Sequence, residues 1–345
     1  MRAKQSAPPT GVTLFFRQPR PEYHSIEQLF DGLLAGFRLK QPTVVVRKVV
    51  CPHSRVSLRN LWCNLRFARR NRGAVNHITG DVHYLALALP ARRTILTIHD
   101  CVLLTRYPTY HPLYWLYYYV WYKWPASRAA VVTTISEKSK AELVHRVGVR
   151  PEKVIVIPNF YDPIFDQTPD DLPSGNHKSV VLQIGTGPNK NLERGIDALV
   201  GLNCRLDIVG ELSTAQRNRL SGSQLDYGTS FNISRTDLRA KYAAADVVLF
   251  ASTYEGFGLP ILEAQAMGRP VITSDVSPMR EVAGAGALLV DPHVTASIRA
   301  AVRMLLGDSV TRAELVERGR QNAAQYTLDR AVTAYWAQYE RILGT

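Results

Sequence analysis

The chain alternates short apolar, β-branched runs with stretches in which apolar residues recur at helical spacing. In its first half the strand candidates are 12–16 (VTLFF), 43–50, 74–78, 94–99, 130–136 and 153–159. Helices are predicted between most of them, near 25–38, 57–71, 111–123 and 137–146. A second series of strands follows at 179–185, 205–210, 246–251, 270–274 and 287–291, and three more helical stretches close the chain from about 294 to 343. Buried parallel strands read as continuous apolar runs, so this alternation predicts doubly wound α/β sheets. The stretch 160–178 breaks the pattern; rich in Pro, Asp and Gly, it reads as an interdomain linker. No repeat of 20–50 residues is present. Two similar α/β domains are therefore expected, and 345 residues suit two cores. In such sheets ligands bind beyond the C-terminal strand ends, and a central cleft between two domains is the natural site.

Composition adds a direction. Residues 1–160 hold 24 Lys+Arg against 8 Asp+Glu, a net +16, whereas residues 161–345 hold 18 against 21, a net −3. The basic half predicts an anionic partner: nucleic acid, an acidic membrane surface or a phosphorylated substrate. No helix-turn-helix, zinc or RNA-binding signature accompanies the charge, so a nucleic-acid-binding protein is the weaker alternative. Cys51, Cys63, Cys101 and Cys204 form no C-x-x-C pair and read as structural thiols of a reducing compartment. The opening residues lack a signal pattern and no apolar run reaches the roughly 18 residues of a membrane span, which predicts a cytoplasmic chain.

Candidate chemistry gathers in STYEGFGLPILEAQAMGRPVITSD, residues 252–275. A buried strand should end near Ser252 and a helix start near Pro260, since proline suits the first helical turn. Gly256 and Gly258 permit close backbone approach. The free N–H groups of the helix start form an anion site. Glu255 lies in the loop and Glu263 about one turn into the helix. Carboxylates accept hydrogen bonds from pairs of sugar hydroxyls, so this stretch suits a ligand made of ribose, diphosphate and sugar in a row. The plainer reading is one surface glutamate and one helix-start charge favoured by the macrodipole.

Two further residues follow predicted strands. Lys190 stands at a helix start, where the macrodipole disfavours a cation and a partner phosphate would explain it; otherwise it is a solvated lysine. His99 ends an apolar strand where sheet ligands bind; otherwise it is a satisfied core histidine. Asp100 caps or orients it.

EGFGLPILEAQAMGRPVITSD closely resembles the E-x7-E signature of retaining glycosyltransferases of family 4, which have the GT-B fold: two Rossmann-like doubly wound domains facing a central cleft. Further stretches match the family in order: TIHD (97–100), residues 134–165, IGTGPNKNLERGIDAL (184–199) and REVAGAGALLVDP (280–292). The resemblance implies an acceptor domain over 1–163, a donor domain over 164–327, and a C-terminal helix, 328–345, packing back on the first domain. It implies transfer of a sugar from a nucleotide-sugar, a UDP- or GDP-sugar, to a glycan or lipid-linked acceptor with retention of configuration, in bacterial cell-surface polysaccharide assembly. Glu263 would bind the donor ribose. Glu255 would hold the transferred sugar, with the amides of Gly256, Phe257, Gly258 and Leu259 nearby. Lys190 would contact the diphosphate, and His99 would line the sugar–acceptor junction. A phosphorylase or epimerase of the same fold is a further alternative.

The sequence departs from the family at two places. Many members carry an arginine in the glycine turn before the lysine; here Gly185 is followed by Thr186, the remaining donor-side candidate. Many carry a glycine-rich loop after the first strand; here residues 17–30 have no glycine, and Arg20, His24 or Ser25 are the candidates to replace it. No D-x-D triad occurs, so no essential metal and no cofactor are expected, the leaving charge being met by Lys190 and the helix-start amides.

Two segments of the basic half could lie in a membrane interface. Residues 57–72 place Leu58, Leu61, Trp62 and Leu65 on one helical face with arginines mostly elsewhere, and residues 107–124 are crowded with Tyr and Trp. Both predict peripheral contact with anionic lipid on the inner face of the plasma membrane. The alternative for each is a helix that covers the sheet.

Overall fold

The computed structural model describes residues 11–19, 25–41, 44–105, 107–166 and 178–344. Arg20, His24 and the side chain of Ser25 lie outside the described part. The chain falls into two units, Met1–Asn159 with Leu328–Thr345, and Phe160–Thr327.

The first unit holds six parallel strands: β1 (Val12–Phe16), β2 (Val46–Val50), β3 (Val75–Ile78), β4 (Thr94–Thr97), β5 (Val131–Thr134) and β6 (Val154–Val156), in the order β2-β1-β3-β4-β5-β6. β1, β3, β4 and β5 are buried throughout, as the apolar runs predict. The helix Leu328–Leu343 belongs here and packs on the helix Ser25–Lys40. Gly36 makes the approach possible, since a Cβ there would stand 2.5 Å from Val332 Cγ2. Tyr339 OH lies 2.7 Å from His77 Nδ1 inside this layer.

The second unit holds β7 (Ser179–Ile184), β8 (Cys204–Val209), β9 (Asp226–Ser230), β10 (Val247–Phe250), β11 (Val271–Ser274) and β12 (Ala287–Val290), parallel and ordered β12-β11-β10-β7-β8-β9. β9 was not among the expected strands. Its sequence, DYGTS, lacks an apolar run because it is an edge strand paired only to β8 and never fully buried. Two helices facing this sheet start with reciprocal capping boxes, Ser213 with Gln216 and Ser234 with Asp237.

Three other expectations change. Residues 160–166 are no linker: Phe160, Tyr161 and Phe165 are buried in the second unit, and Phe165 meets Tyr242 edge-on. The Pro- and Asp-rich composition hid three core aromatics; residues 167–177 lie outside the described part. The single helix expected at 111–123 is an α-turn pair, Pro112–Tyr117, followed by a π-helical stretch, Tyr118–Lys123, and a further α segment, Trp124–Arg128. The apolar stripe of 57–72 divides. Leu61 and Leu65 pack on the core while Leu58 and Trp62 are exposed, and the helix Leu58–Arg70 buries Asn64 and Ala68 instead.

Candidate functional site

In the second sheet the strand order reverses between β7 and β10, the position where doubly wound sheets bind ligands. The loops that leave those two strands carry most of the singled-out residues. After β7 the chain turns at Gly185 (φ +88°), and the Lys190 side chain lies over that glycine, where a Cβ would meet Lys190 Cε at 2.9 Å. Asn191, left-handed at φ 59° and buried, donates to the Ala251 and Pro292 carbonyls at 2.9 and 2.7 Å. Asn189 donates to Tyr254 O at 2.9 Å, and Thr253 N donates to Asn189 O at 2.8 Å. Backbone and amide bonds thus stitch the two loops into one surface.

On that surface Lys190 Nζ stands 2.6 Å from Glu255 Oε1. It also lies 4.7 Å from the centre of the Phe250 ring. This corrects the argument that Lys190 requires a phosphate: a carboxylate from the neighbouring loop already offsets its charge. The lysine also precedes the helix, in the turn Pro188–Lys190, with Leu192–Leu199 beginning after Asn191. Thr186 ties loops together, its hydroxyl donating to Glu211 O at 2.5 Å while its own carbonyl accepts from Gln216 Nε2 at 2.8 Å.

The helix after β10 runs Leu259–Ala266, with Gly258 (φ 112°) at its N-cap and Pro260 in its first turn. No side chain caps it; Pro260 carries no N–H and Ile261 N already donates to Gly258 O at 3.0 Å, so the amides left for a ligand are those of the loop up to Leu259. Phe257 is buried and meets Tyr326 edge-on. Glu263 is buried, which the sequence reading did not anticipate. Its Oε2 accepts from Tyr242 OH at 2.8 Å, and its Oε1 faces both Arg235 Nη atoms at 3.4 Å. Arg235 also reaches Asp162 at 3.3 Å and lies over the Phe165 ring. Burial pushes the Glu263 pKa up, against the opposing pull of Arg235 and Tyr242. Tyr242 and Arg235 were missed. Both lie on the helix Arg235–Ala244 seven positions apart, on one face, which was a legible signal.

His99 stands in the first unit, two residues beyond β4. Its Nε2–H donates to Thr79 O at 2.8 Å, leaving Nδ1 as the acceptor. Burial lowers its pKa, so the ring is neutral. Asp100 does not orient it through a hydrogen bond; Asp100 Oδ1 accepts from Val102 N at 3.0 Å and starts the next helix. The four cysteines are unpaired, and burial pushes the Cys51 and Cys101 thiols up to about 12.

Two family descriptions match consecutive parts of the chain: Glycosyltransferase Family 4 over residues 12–164 and Glycosyl transferases group 1 over residues 165–322. The chain belongs to glycosyltransferase family 4. Its two sheets are the Rossmann-like halves of the GT-B fold. The O-antigen chain mannosyltransferase B of Escherichia coli is 40% identical over 97 residues, 28% of this chain and 26% of that protein. The O-antigen chain mannosyltransferase RfbU of Salmonella typhimurium is 25% identical over 234 residues, 64% of each chain. The matches thus span from a quarter to under two thirds of those relatives. The crystal structure of Anabaena HepE in complex with UDP superimposes with a TM-score of 0.75 at 17% identity, over 96% of this chain and 100% of that one. For this family-4 glycosyltransferase, no helix among the described residues is long and apolar enough to cross a membrane.

Proposed function

We propose that this glycosyltransferase moves a sugar from a nucleotide-sugar to a glycan or lipid-linked acceptor with retention of anomeric configuration. The carrying observation is the pair Lys190–Glu255, 2.6 Å apart at the switch point of the second sheet beside an uncapped helix start. Lys190 and the amides of the loop Gly256 to Leu259 take the diphosphate. Glu255, released from Lys190 as the phosphates arrive, accepts from hydroxyls of the sugar. Glu263, held by Tyr242 and Arg235, accepts from the ribose. His99 Nδ1 accepts from a sugar hydroxyl. That HepE was crystallised with UDP supports a nucleotide donor, UDP- or GDP-linked.

In the reaction the bond from the sugar anomeric carbon to the diphosphate oxygen breaks. The acceptor oxygen bonds to that carbon on the same face, and its proton passes to the departing diphosphate. Lys190 stabilises the charge that grows there, so the step needs no metal. Activity should survive excess EDTA. Loss on chelation, restored by magnesium or manganese, would contradict this assignment.

The acceptor is met at an anionic membrane surface. Trp62, Tyr110, Trp115, Leu116, Tyr119 and Trp124 are exposed, and the guanidinium of Arg66 lies over the Trp62 ring. Amphipathic aromatics beside arginines suit a lipid interface. A panel of UDP-, GDP- and dTDP-sugars tests the central reading by thermal shift, followed by the anomeric configuration of the product by NMR. If no nucleotide-sugar raises the melting temperature, or the product is inverted, the proposal fails.

A further inference from the structure

The Glu263 carboxylate is held unevenly. Its side chain is 5% exposed, and its two oxygens differ in their partners. Oε2 accepts from the Tyr242 hydroxyl at 2.8 Å, a bond of ordinary length. Oε1 meets Arg235, whose two Nη atoms both stand 3.4 Å away, longer than a good N–H···O bond. A buried, ionised oxygen without a close donor is costly until a further donor completes its shell.

Arg235 stays at that distance because it is held elsewhere. Its Nε lies 3.3 Å from Asp162 Oδ2, and its Cζ lies 5.0 Å from the centre of the Phe165 ring. Phe165 is fully buried and meets the Tyr242 ring edge-on, with centroids 5.5 Å apart. One ring therefore backs both groups that hold Glu263. Asp162 and Phe165 come from a single turn: Asp162 Oδ1 accepts from Ile164 N at 3.0 Å and caps Pro163–Phe165, which fixes the other carboxylate oxygen for Arg235. Two carboxylates share one guanidinium, so negative charge is in excess. That suits the hydroxyl donors of a ligand and disfavours a phosphate.

We propose that Arg235 is a positioning residue of the nucleotide site: it fixes the Glu263 carboxylate with Oε1 left to accept from the ligand's hydroxyls, and the turn Asp162–Phe165 holds Arg235 in place. This rests on the reading of Glu263 as the ribose carboxylate. Burial pushes the Glu263 pKa up, Arg235 and Tyr242 oppose the push, and Asp162 adds to it. Without Arg235 the carboxylate takes up its proton at higher pH, and a protonated Glu263 has less acceptor capacity to offer. The strands packed beside its helix, β10 and β11, carry no titratable side chain. The helices Met279–Ala283 and Ser309–Ala323 meet the helix Leu259–Ala266 through Gln265, which donates to Ala283 O and accepts from Asn322 Nδ2, both at 2.8 Å. Gln265 stands about 200° around the helix from Glu263.

Calorimetry with UDP and GDP on the full chain, from pH 8 to pH 5.5, tests it. Wild-type affinity should fall in acid as Glu263 takes up its proton. In Arg235→Met the fall should begin at higher pH, so the ratio of wild-type to variant affinity widens by up to about tenfold per pH unit. The ionisation of the diphosphate is common to both proteins and cancels in that ratio. Arg235→Lys keeps the charge and should restore most of the wild-type profile. Asp162→Asn keeps the turn cap and an oxygen for Arg235 but removes the competing charge, so its fall should begin at lower pH than in the wild type. A merely structural lesion would lower affinity by the same factor at every pH. The inference is overturned if the Arg235→Met ratio is constant with pH, or if Asp162→Asn, which does not depend on Arg235→Met folding, follows the wild-type profile. If neither UDP nor GDP binds the wild type at any pH, the nucleotide reading falls and takes this inference with it; if they bind and the profiles coincide, this inference falls alone.

Discussion

At the switch point of the second sheet, Lys190 and Glu255 meet with side chains 22% and 13% exposed. At that of the first, Arg17 and Glu27 meet at 10% and 8%, with Asp81 more open beside them. Both pairs join residues brought together by β-strand order, yet their partners differ in kind. A lysine is a compact point charge on a flexible stem and can leave its carboxylate for a phosphate. A forked arginine–carboxylate pair is planar, bidentate and expensive to separate. On the proposed reading the second pair can exchange partners when a phosphate arrives, whereas the first pair is built to stay assembled.

The largest effect should come from breaking the fixed pair. Arg17→Met leaves the buried Glu27 carboxylate without its cation, which costs about 3–5 kcal/mol. Thermal or denaturant unfolding should show it. Lys190→Met, by contrast, should cost less, because this pair is more accessible and Asn189 Nδ2 also reaches Glu255 Oε1 at 3.3 Å. Equal losses from the two would erase the distinction.

Within the second site the two glutamates should separate by readout. Glu263→Ala should weaken nucleoside diphosphate binding by about 1.5–3 kcal/mol, the value of a hydrogen bond to a charged group. Calorimetry measures it, and unchanged affinity removes Glu263 from the ribose. Glu255→Gln should lower turnover more than diphosphate affinity; equal losses would place Glu255 on the phosphates instead.

The units should also respond oppositely to acid. In the first, burial depresses the pKa of His77 to about 3 and of His83 to about 4. Unfolded histidines take up protons near 6.5, so the unfolded chain binds more protons as pH falls through that window. Stability is complete above about 6.5 and declines toward pH 4, by up to about 1.4 kcal/mol per pH unit for each histidine. In the second, burial raises the Glu263 pKa, so the folded state takes up its proton first and acid relieves rather than adds cost. Scanning calorimetry between pH 7 and 4.5 should show the first unit's transition moving down faster. A parallel shift of both units would refute the assignment.

Much of this was legible in the sequence where the signal was local. The interior strands announced themselves as apolar runs, because parallel strands are covered on both faces. The loop of Glu255 and the helix of Glu263 followed from strand, glycine and proline. What was not legible depends on distant pairing. Lys190 looked like an unmatched cation because its partner lies 65 positions away, on the loop after another strand. Arg17 and Asp81 are 64 positions apart and meet only once β1 and β3 are neighbours. β9 escaped because an edge strand needs no apolar run, and Tyr161 and Phe165 were masked by the prolines and aspartates around them.

The smallest effect per residue concerns the surface. Exposed Trp62 and Leu58 lie on the helix Leu58–Arg70, whose last turn carries Arg69 and Arg70. Each basic residue near an anionic surface contributes on the order of 1 kcal/mol, so only several together give attachment. Full-length protein should co-sediment with phosphatidylserine-containing vesicles at low salt and release at high salt, since exposed charges are screened within about 8 Å at physiological ionic strength. Arg66→Glu with Arg70→Glu should lower the bound fraction and leave nucleotide affinity unchanged, because every residue assigned to the nucleotide is in the second unit. Trp62→Ser should weaken binding at both salts, because its contribution is apolar insertion rather than charge. The comparison between the units then extends to the surface: net +16 over residues 1–160 against net −3 over the rest. Wild-type protein remaining in the supernatant at low salt would leave that charge to be explained by another anionic partner, such as a phosphorylated acceptor.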